Sequence, residues 1–325
     1  MSSQTLNQPR QRSREPLRRT HEPKLWELVG KTPLIPLAGS HPSRGARVLL
    51  KAEWFNPGGS VKDRAARELL REGLAGGHLP SRRLLDASSG NTAVAYALLG
   101  AAAGIGVTVC VPANVAPSRR RLLEVYGAEV IDTDPLEGSD GSIRRARELA
   151  HQHPQRYWHA DQYNNPANPR AHVHTTGPEI WRATRGRITH LIAGVGTSGT
   201  LMGTGAFLKR LRPDVRLVAV QPDHPVHGLE GLKHLETAIV PGIYRPSLPD
   251  ETIFVATEVA ERKVRSLARE SGVFVGWSAG AALAAADQIL ARTDLDADGP
   301  PLIVVIAPDH GIGYLHEQRL GSESP

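Results

Sequence analysis

The stretch from Arg83 to Ala113 decides the fold, and it reads RLLDASSGNTAVAYALLGAAAGIGVTVCVPA. It contains a short apolar segment (Arg83–Ala87), a polar loop, an alanine-rich segment (Thr92–Ala103) and a valine-rich segment (Val107–Val111). These lengths and residue types predict a strand, a helix and a second strand. Strands that are apolar throughout are typical of a parallel βαβ unit covered on both faces. The sequence therefore predicts an α/β protein.

The same alternation continues along the chain. Further strands are predicted at Glu129–Thr133, His190–Ala193, Arg216–Gln221, Val273–Gly276 and Leu302–Ala307. Further helices are predicted at Asp63–Arg71, Pro117–Tyr126, Ser142–His151, Leu201–Leu211, Thr257–Glu270 and Ala279–Leu290. We predict two open twisted α/β domains, residues 21–160 and 161–325, with the active site in the cleft between them. The Asn- and Pro-rich segment Trp158–Pro169 is predicted to connect the two domains. The N-terminal segment could cross over and belong to the second domain.

Length and charge limit the possible classes. The chain has 325 residues, which is enough for about two domains. The net charge is +6, but six basic and only two acidic residues lie within residues 1–24. We predict that residues 1–20 form a disordered basic tail. The remainder is nearly neutral, so we expect no nucleic-acid partner.

Two features bear on the compartment. The uncharged run from Ala93 to Ala113 is long enough to cross a bilayer, but three glycines and Pro112 interrupt it. We therefore expect no membrane segment. The single cysteine, Cys110, lies in a predicted buried strand, where it acts as a small apolar residue rather than a nucleophile. One cysteine fits a reducing compartment, and we expect the protein to be cytoplasmic.

A turn-forming loop, NPGGSVKDR (residues 56–64), delivers Lys62 to the start of a predicted helix. An ammonium group is disfavoured beside the positive end of a helix and inside an apolar cleft. The neutral amine is then available for Schiff-base chemistry. The alternative is an ordinary solvated lysine near a helix start.

Two more loops follow predicted strands and open helices. SSGNT (residues 88–92) offers hydroxyls, an amide and backbone N–H groups to an anion such as a substrate carboxylate, although it also suits a simple helix cap. GVGTSGT (residues 194–200) has the form of a loop that holds a phosphate on backbone N–H groups. Its Gly194-x-Gly196-x-x-Gly199 spacing, with Asp223 after the next strand, leaves an NAD(P)-dependent oxidoreductase open as an alternative.

Two other patterns are weaker evidence for a function. Residues 276–280, GWSAG, match the letters of a serine-hydrolase elbow, which keeps that class as a distant alternative. The pairs His151-x-His153 and His172-x-His174 lack a carboxylate ligand at motif spacing. We interpret these histidines as solvated and expect no metal site.

Six motifs occur in a fixed order: NPGGSVKDR, SSGNT, NPANPRAHVHTTGPEIW, GVGTSGT, GWSAGAA and PDHGIGYL. Together, from about Lys31 to Leu315, they resemble the cysteine synthase family of fold-type II pyridoxal 5'-phosphate enzymes, which have a tryptophan synthase β-like fold. The segment Gly228–Leu235, followed by AIVPGIY, is similar to the cysteine synthase B and O-phosphoserine-using branch.

The resemblance implies a role for each matching residue. Lys62 would hold the cofactor as a Schiff base and act as the catalytic base. The other implied cofactor-binding residues are Asn91, Gly196, Thr197, Ser198, Gly199, Thr200, Ser278 and His310, the last two as alternative partners of the pyridine nitrogen. The implied substrate-binding residues are Ser88, Ser89, Gly90, Thr92, Gln162 and Lys233.

The resemblance also implies the reaction. An activated serine, O-acetylserine or O-phosphoserine, would lose its β-substituent to give an α-aminoacrylate, and a sulfur donor would add to form L-cysteine. Cystathionine synthesis and serine or threonine dehydration share the early steps and stay open. A homodimer is implied as well. Ser198 and His310 stand where glycine and serine are usual in the family. Lys233 is a candidate cation that would favour O-phosphoserine or a bulkier sulfur donor, and the alternative is a solvated loop lysine.

Overall fold

The computed structural model describes residues 22–37, 45–292 and 300–315. The strands in these ranges are β1 Leu34–Pro36, β2 Arg47–Ala52, β3 Arg83–Ala87, β4 Val107–Pro112, β5 Glu129–Thr133, β6 Tyr157–His159, β7 His190–Gly194, β8 Arg216–Pro222, β9 Glu251–Val255 and β10 Leu302–Ala307. The α-helices are α1 Lys24–Glu27, α2 Lys62–Ala75, α3 Asn91–Ala103, α4 Pro117–Val125, α5 Gly138–Gln152, α6 Ala167–His174, α7 Thr176–Thr184, α8 Gly199–Leu211, α9 Thr257–Ser271 and α10 Trp277–Leu290. The predicted tail, residues 1–20, lies outside the described residues.

The strands form two sheets. The six-stranded sheet has the order β1-β2-β10-β7-β8-β9, and all its neighbouring strands are parallel except β1 and β2. The four-stranded sheet has the order β5-β4-β3-β6 and is parallel throughout. The early strand β2 pairs with the late strand β10, with Val48 opposite Ile303. The first part of the chain therefore contributes to the sheet built mainly from its second half.

Both sheets are covered by helices. Every residue of β4 and β10 is buried, as the apolar runs in their sequences predict. Helices α9 and α10 pack so closely that a Cβ on Gly280 would lie 2.4 Å from the Ala260 carbonyl oxygen. No helix in the described ranges is long and apolar enough to cross a membrane, and residues 93–113 are divided between α3 and β4.

The predicted α/β fold is confirmed, but the predicted strand Val273–Gly276 is wrong. Helix α9 ends at Ser271, and Gly272 leaves it with a φ of +70°. Val275 then makes only an isolated antiparallel bridge with His310. A short apolar run after a helix resembles a buried strand in sequence, although here it is a connection between α9 and α10.

Cys110 is fully buried in β4. Burial raises the pKa of its thiol to about 12. The thiol therefore stays protonated at neutral pH and is a poor nucleophile, in line with the packing role predicted for it.

Candidate active site

Lys62 is the first residue of α2. The turn before it requires a glycine at position 59, where φ is +79°. The Val61 N–H donates to the Pro308 carbonyl oxygen at 2.8 Å. This bond holds the lysine loop against the segment that follows β10, so the lysine lies at the carboxyl end of the six-stranded sheet.

The environment of Lys62 disfavours the charged amine. Burial lowers the pKa of Lys62, and the nearby carboxylates of Asp309 and Glu53 only partly oppose this. A lowered pKa increases the share of neutral amine at physiological pH, and the neutral amine is the form that attacks carbonyl carbons and accepts protons.

The 88–92 loop leads from β3 into α3, and the side chains of Ser88, Asn91 and Thr92 each form a hydrogen bond. Asn91 donates from Nδ2 to Asp309 Oδ2 at 2.6 Å. Thr92 donates from Oγ1 to Gln162 Oε1 at 2.8 Å, and Gln162 donates from Nε2 to the Ala87 carbonyl at 2.8 Å. Ser88 Oγ accepts from the backbone N–H of Gly90 at 3.3 Å. The loop is therefore held in one shape at the start of α3, where free N–H groups favour an anion.

The 194–200 loop leads from β7 into α8 and has the close contacts of a tight anion-binding turn. A Cβ on Gly196 would lie 2.2 Å from the Gly231 carbonyl oxygen, so only glycine fits there. Ser198 has a φ of +71°, in the left-handed region where glycine is usual. Its Oγ is buried and has no hydrogen-bond partner among the described residues. A buried, unpaired hydroxyl beside a helix start fits a phosphate group.

The strained conformation of Ser198 leads to a prediction. We expect Ser198→Gly to raise the free energy of unfolding of the ligand-free protein by about 1 kcal/mol, because glycine adopts positive φ without strain. Urea unfolding of the full chain measures this. Ser266→Gly within α9 is the matched control and should lower stability by several tenths of a kcal/mol. A less stable Ser198→Gly protein would contradict the prediction.

The lysine and the two loops meet at two adjoining cavities. The larger, of about 220 Å³, is lined by Lys62, Ser88, Ser89, Gly90, Asn91, Thr92, Gln162, Gly196, Thr197 and Lys233, among others. The smaller, of about 40 Å³, is lined by Lys62, Asn91, Gly196, Thr197, Ser198, Thr200 and Ser278, among others. Gly199 is buried as the first residue of α8. The structure thus brings together Lys62, the 88–92 loop predicted to bind a carboxylate, and the 194–200 loop predicted to bind a phosphate, which we call the phosphate loop.

Lys233 is buried and already has an anionic partner. Its Nζ lies 2.7 Å from Asp140 Oδ1 and 5.3 Å from the centre of the Tyr163 ring. Burial alone would raise the pKa of Asp140, but the hydrogen bonds from Lys233 and the Ile239 N–H, with the nearby positive charges, together lower the pKa. The ammonium therefore lines the larger cavity in a fixed position.

His310 lies apart from Lys62. Its side chain packs edge-on against Trp54 and Phe274, and its Nδ1 accepts from the Ile312 N–H at 3.1 Å. It lines an open surface pocket and neither of the two cavities. Ser278, in the first turn of α10, lines the smaller cavity instead. Of the two alternatives for the pyridine nitrogen, Ser278 is therefore the one beside the lysine.

Asp309 is a site residue that the sequence reasoning missed. It is buried, accepts from Asn91 and from Tyr314 Oη at 2.5 Å, and lies close enough to oppose the lowering of the Lys62 pKa. Burial raises the pKa of Asp309, while its two hydrogen bonds and Lys62 oppose the rise. The PDHGIGYL motif contains both Asp309 and Tyr314, but its sequence does not show that the Asp309 side chain turns toward Lys62 while that of His310 turns away.

The pyridoxal-phosphate dependent enzyme family matches residues 25–309. The chain belongs to this family. Among its relatives, the cysteine synthase of Aquifex aeolicus is 47% identical over 305 residues, covering 93% of both chains. The cysteine synthase B of Escherichia coli is 38% identical over 300 residues, covering 92% of this chain and 96% of the relative. The crystal structure of O-acetylserine sulfhydrylase isoform 3 from Entamoeba histolytica superposes with a TM-score of 0.85 at 32% identity, covering 99% and 96%.

This pyridoxal-phosphate dependent enzyme has the fold-type II architecture of its relatives. Its site fits the cofactor, because an amine with a lowered pKa adjoins a glycine-rich loop with a buried, unpaired hydroxyl. The family membership also removes the need for the dinucleotide interpretation of the 194–200 loop, which accounted for neither Lys62 nor the 88–92 loop.

Proposed function

We propose that this enzyme is a cysteine synthase that replaces the β-substituent of an activated serine with sulfur. The observation that carries the proposal is the meeting of Lys62 with two anion-binding loops at adjoining cavities. One loop suits a substrate carboxylate and the other a cofactor phosphate. The activity implied by the names of its relatives agrees with this arrangement.

The cofactor-binding residues divide into three groups. Lys62 would bind the aldehyde carbon of pyridoxal phosphate through Nζ. Residues 196–200 would bind its phosphate, and Asn91 and Ser278 would contact its ring. When bound, the cofactor acts as an electron sink that stabilises negative charge at the substrate Cα.

The chain's own contribution to the chemistry is proton transfer at Lys62. With substrate bound in the loaded enzyme, Nζ would take the proton from the substrate Cα. Loss of the β-substituent and addition of sulfur to Cβ follow, and Nζ then returns the proton to Cα. A lowered pKa suits both transfers, because a general base works best when its pKa lies near the working pH.

The 88–92 loop would orient the substrate. Its helix-start N–H groups, including that of Thr92, and the hydroxyl of Ser89 would bind the α-carboxylate, while the Thr92 hydroxyl donates to Gln162. Arg119 of α4 pairs with Glu230 from the segment after β8, and it also donates to the Ser89 carbonyl at 3.4 Å. Both side chains lie against Gly90, where they would limit the access of water to the larger cavity once substrate is bound.

The product of the reaction tests the proposal. The purified holoenzyme is mixed with O-acetylserine and sulfide, and L-cysteine is measured. We expect L-cysteine to accumulate at the rate at which acetate is released. Pyruvate as the main product would indicate dehydration, and turnover that requires homocysteine would indicate cystathionine synthesis. Either result would refute the proposal.

Lys233 is proposed to favour O-phosphoserine over O-acetylserine. Its ammonium lines the larger cavity. It would bind the negatively charged phosphate group of O-phosphoserine more strongly than the neutral acetyl group of O-acetylserine. We expect Lys233→Ala to lower kcat/KM for O-phosphoserine about tenfold more than for O-acetylserine. Asp140→Asn, which removes the partner and leaves the ammonium, is the matched control and should not lower the preference. Equal losses for both substrates in Lys233→Ala would refute this role.

We also propose a homodimer and a cytoplasmic location. The buried, protonated thiol of Cys110 is compatible with a reducing compartment. Light scattering of the purified holoenzyme tests the dimer.

A further inference from the structure

The prediction that both histidines of the pair His172-x-His174 are solvated is wrong for His172. His174 is exposed on α6, but His172 is only 1% exposed and faces α8. Residues two positions apart in a helix point in nearly opposite directions, so the two histidines have different surroundings. Neither the proton transfers nor the substrate contacts proposed above use His172.

Each ring nitrogen of His172 meets a threonine hydroxyl. Nδ1 lies 2.8 Å from Thr176 Oγ1, and Nε2 lies 3.3 Å from Thr200 Oγ1. Thr200 belongs to the 194–200 loop and lines the smaller cavity. His172 therefore stands directly behind a hydroxyl of the proposed phosphate site, without lining either cavity itself.

The buried ring is neutral, and a neutral ring has one donor and one acceptor. Burial lowers the pKa of His172 to about 3, and the charge of Arg64 acts in the same direction. Two tautomers are possible. If Nδ1 carries the proton, Thr200 must donate its own hydroxyl proton to Nε2. If Nε2 carries the proton, Thr176 donates to Nδ1, Nε2–H donates to Thr200, and the Thr200 proton is free for another acceptor.

A phosphate in the smaller cavity distinguishes between these tautomers. The phosphate oxygens accept hydrogen bonds, so they favour the arrangement in which Thr200 is a donor. We propose that His172, as the Nε2–H tautomer, is a positioning residue that directs the Thr200 hydroxyl proton toward the cofactor phosphate. The relay runs from Thr176 through His172 to Thr200. This inference rests on the proposed role of residues 196–200.

Other contacts of α6 also hold the phosphate loop in place. Asn168 donates from Nδ2 to Thr197 Oγ1 at 3.0 Å and to the Gln162 carbonyl at 2.7 Å. A Cβ on Gly203 of α8 would lie 2.0 Å from the Pro169 carbonyl oxygen. The side chains of Asn168 and His172 on α6 thus contact two threonines of the phosphate loop, Thr197 and Thr200. The close packing of α6 on α8 also limits movement at the end of the loop.

The test is a double-mutant cycle on cofactor affinity, measured as the dissociation constant of pyridoxal phosphate from the full-length protein. We expect Thr200→Val to weaken binding about tenfold, because it removes a hydrogen bond to a charged group. His172→Leu should weaken binding about fivefold in the wild-type background and less than about twofold in the Thr200→Val background. Thr204→Val, one turn further along α8, is the matched control and should change nothing, since its buried hydroxyl has no hydrogen-bond partner among the described residues.

The outcomes separate the two proposals. An equal loss in both backgrounds, or no loss from His172→Leu, would overturn the relay while leaving the phosphate loop intact. No loss from Thr200→Val would overturn the loop assignment and the relay together. If His172→Leu fails to fold, Thr176→Val tests the same chain with a nearly isosteric change. It should weaken binding about twofold to threefold, and unchanged binding would overturn the relay.

Discussion

Lys62→Ala is expected to reduce the turnover of an activated serine by at least about 1,000-fold, because Lys62 is both the proposed cofactor attachment and the proposed base. The visible absorbance of the attached cofactor should be lost as well. Lys62→Arg should be equally inactive, since it keeps a positive charge but not a titratable amine. Formation of L-cysteine and the absorbance spectrum of the purified protein measure these effects.

Replacing Lys62 should lower turnover without lowering the free energy of unfolding. A lysine whose folded-state pKa lies below its unfolded value destabilises the folded protein at neutral pH, because folding disfavours its charged form. The ligand-free Lys62→Ala protein should therefore be at least as stable as the wild type. Lys263→Ala, which removes a surface lysine paired with Asp287, is the control and should leave turnover unchanged. More than a tenth of wild-type turnover in Lys62→Ala would refute the proposed role.

Arg64→Met is expected to destabilise the protein by about 3–5 kcal/mol, because it leaves buried carboxylates without their partner. Arg64 is fully buried and bonds Glu53 through Nε at 2.6 Å and Nη2 at 2.8 Å. It also bonds both oxygens of Glu179 at 2.8 Å, and Lys51 joins the second of these at 2.6 Å. The network connects β2, α2 and α7. Urea unfolding of the full chain measures the loss.

The control for Arg64→Met is Arg170→Met. Arg170 also contacts two carboxylates, Glu68 and Glu72, but its side chain is 39% exposed. Its removal should cost less than about 1 kcal/mol, because exposed ion pairs contribute little. Similar losses in the free energy of unfolding for the two variants would show that the burial of Arg64 does not explain its contribution to stability.

The same network predicts acid sensitivity. Burial alone would raise the pKa of Glu179, but the hydrogen bonds and charges of Arg64 and Lys51 outweigh it and lower the pKa to about 2. Because this value lies below the unfolded-state pKa of about 4.3, the stabilising contribution of Glu179 is complete above that pH. It should decline as the pH falls from there toward 2, and less steeply in Arg64→Met.

Sequence patterns predicted the layered fold and the three loops, because apolar runs identify buried parallel strands and such strands end at a common edge. They could not identify which side chains turn inward from that edge. His310 and Asp309 are neighbours after β10, yet only Asp309 lies in the smaller cavity, while His310 packs against two aromatic rings. A difference of one position reverses the direction of a side chain in extended backbone.

Long-range pairing explains the other omissions. His172 and Thr200 are both visible in the sequence, but their contact depends on how closely α6 packs on α8. Glu179 lies within one of the six motifs, but its partners Arg64 and Lys51 are distant from it in the sequence. Such contacts follow from tertiary packing, which local patterns do not encode.

The pairing of β2 with β10 has a consequence for synthesis on the ribosome. The four-stranded sheet uses residues 83–159 and can assemble while the chain is still emerging. The six-stranded sheet needs residues 302–307 to fill the gap between β2 and β7, so one edge of β2 keeps unpaired backbone N–H and C=O groups until β10 has been synthesised. During that interval the nascent polypeptide should depend on chaperones, and truncated products that lack β10 should aggregate.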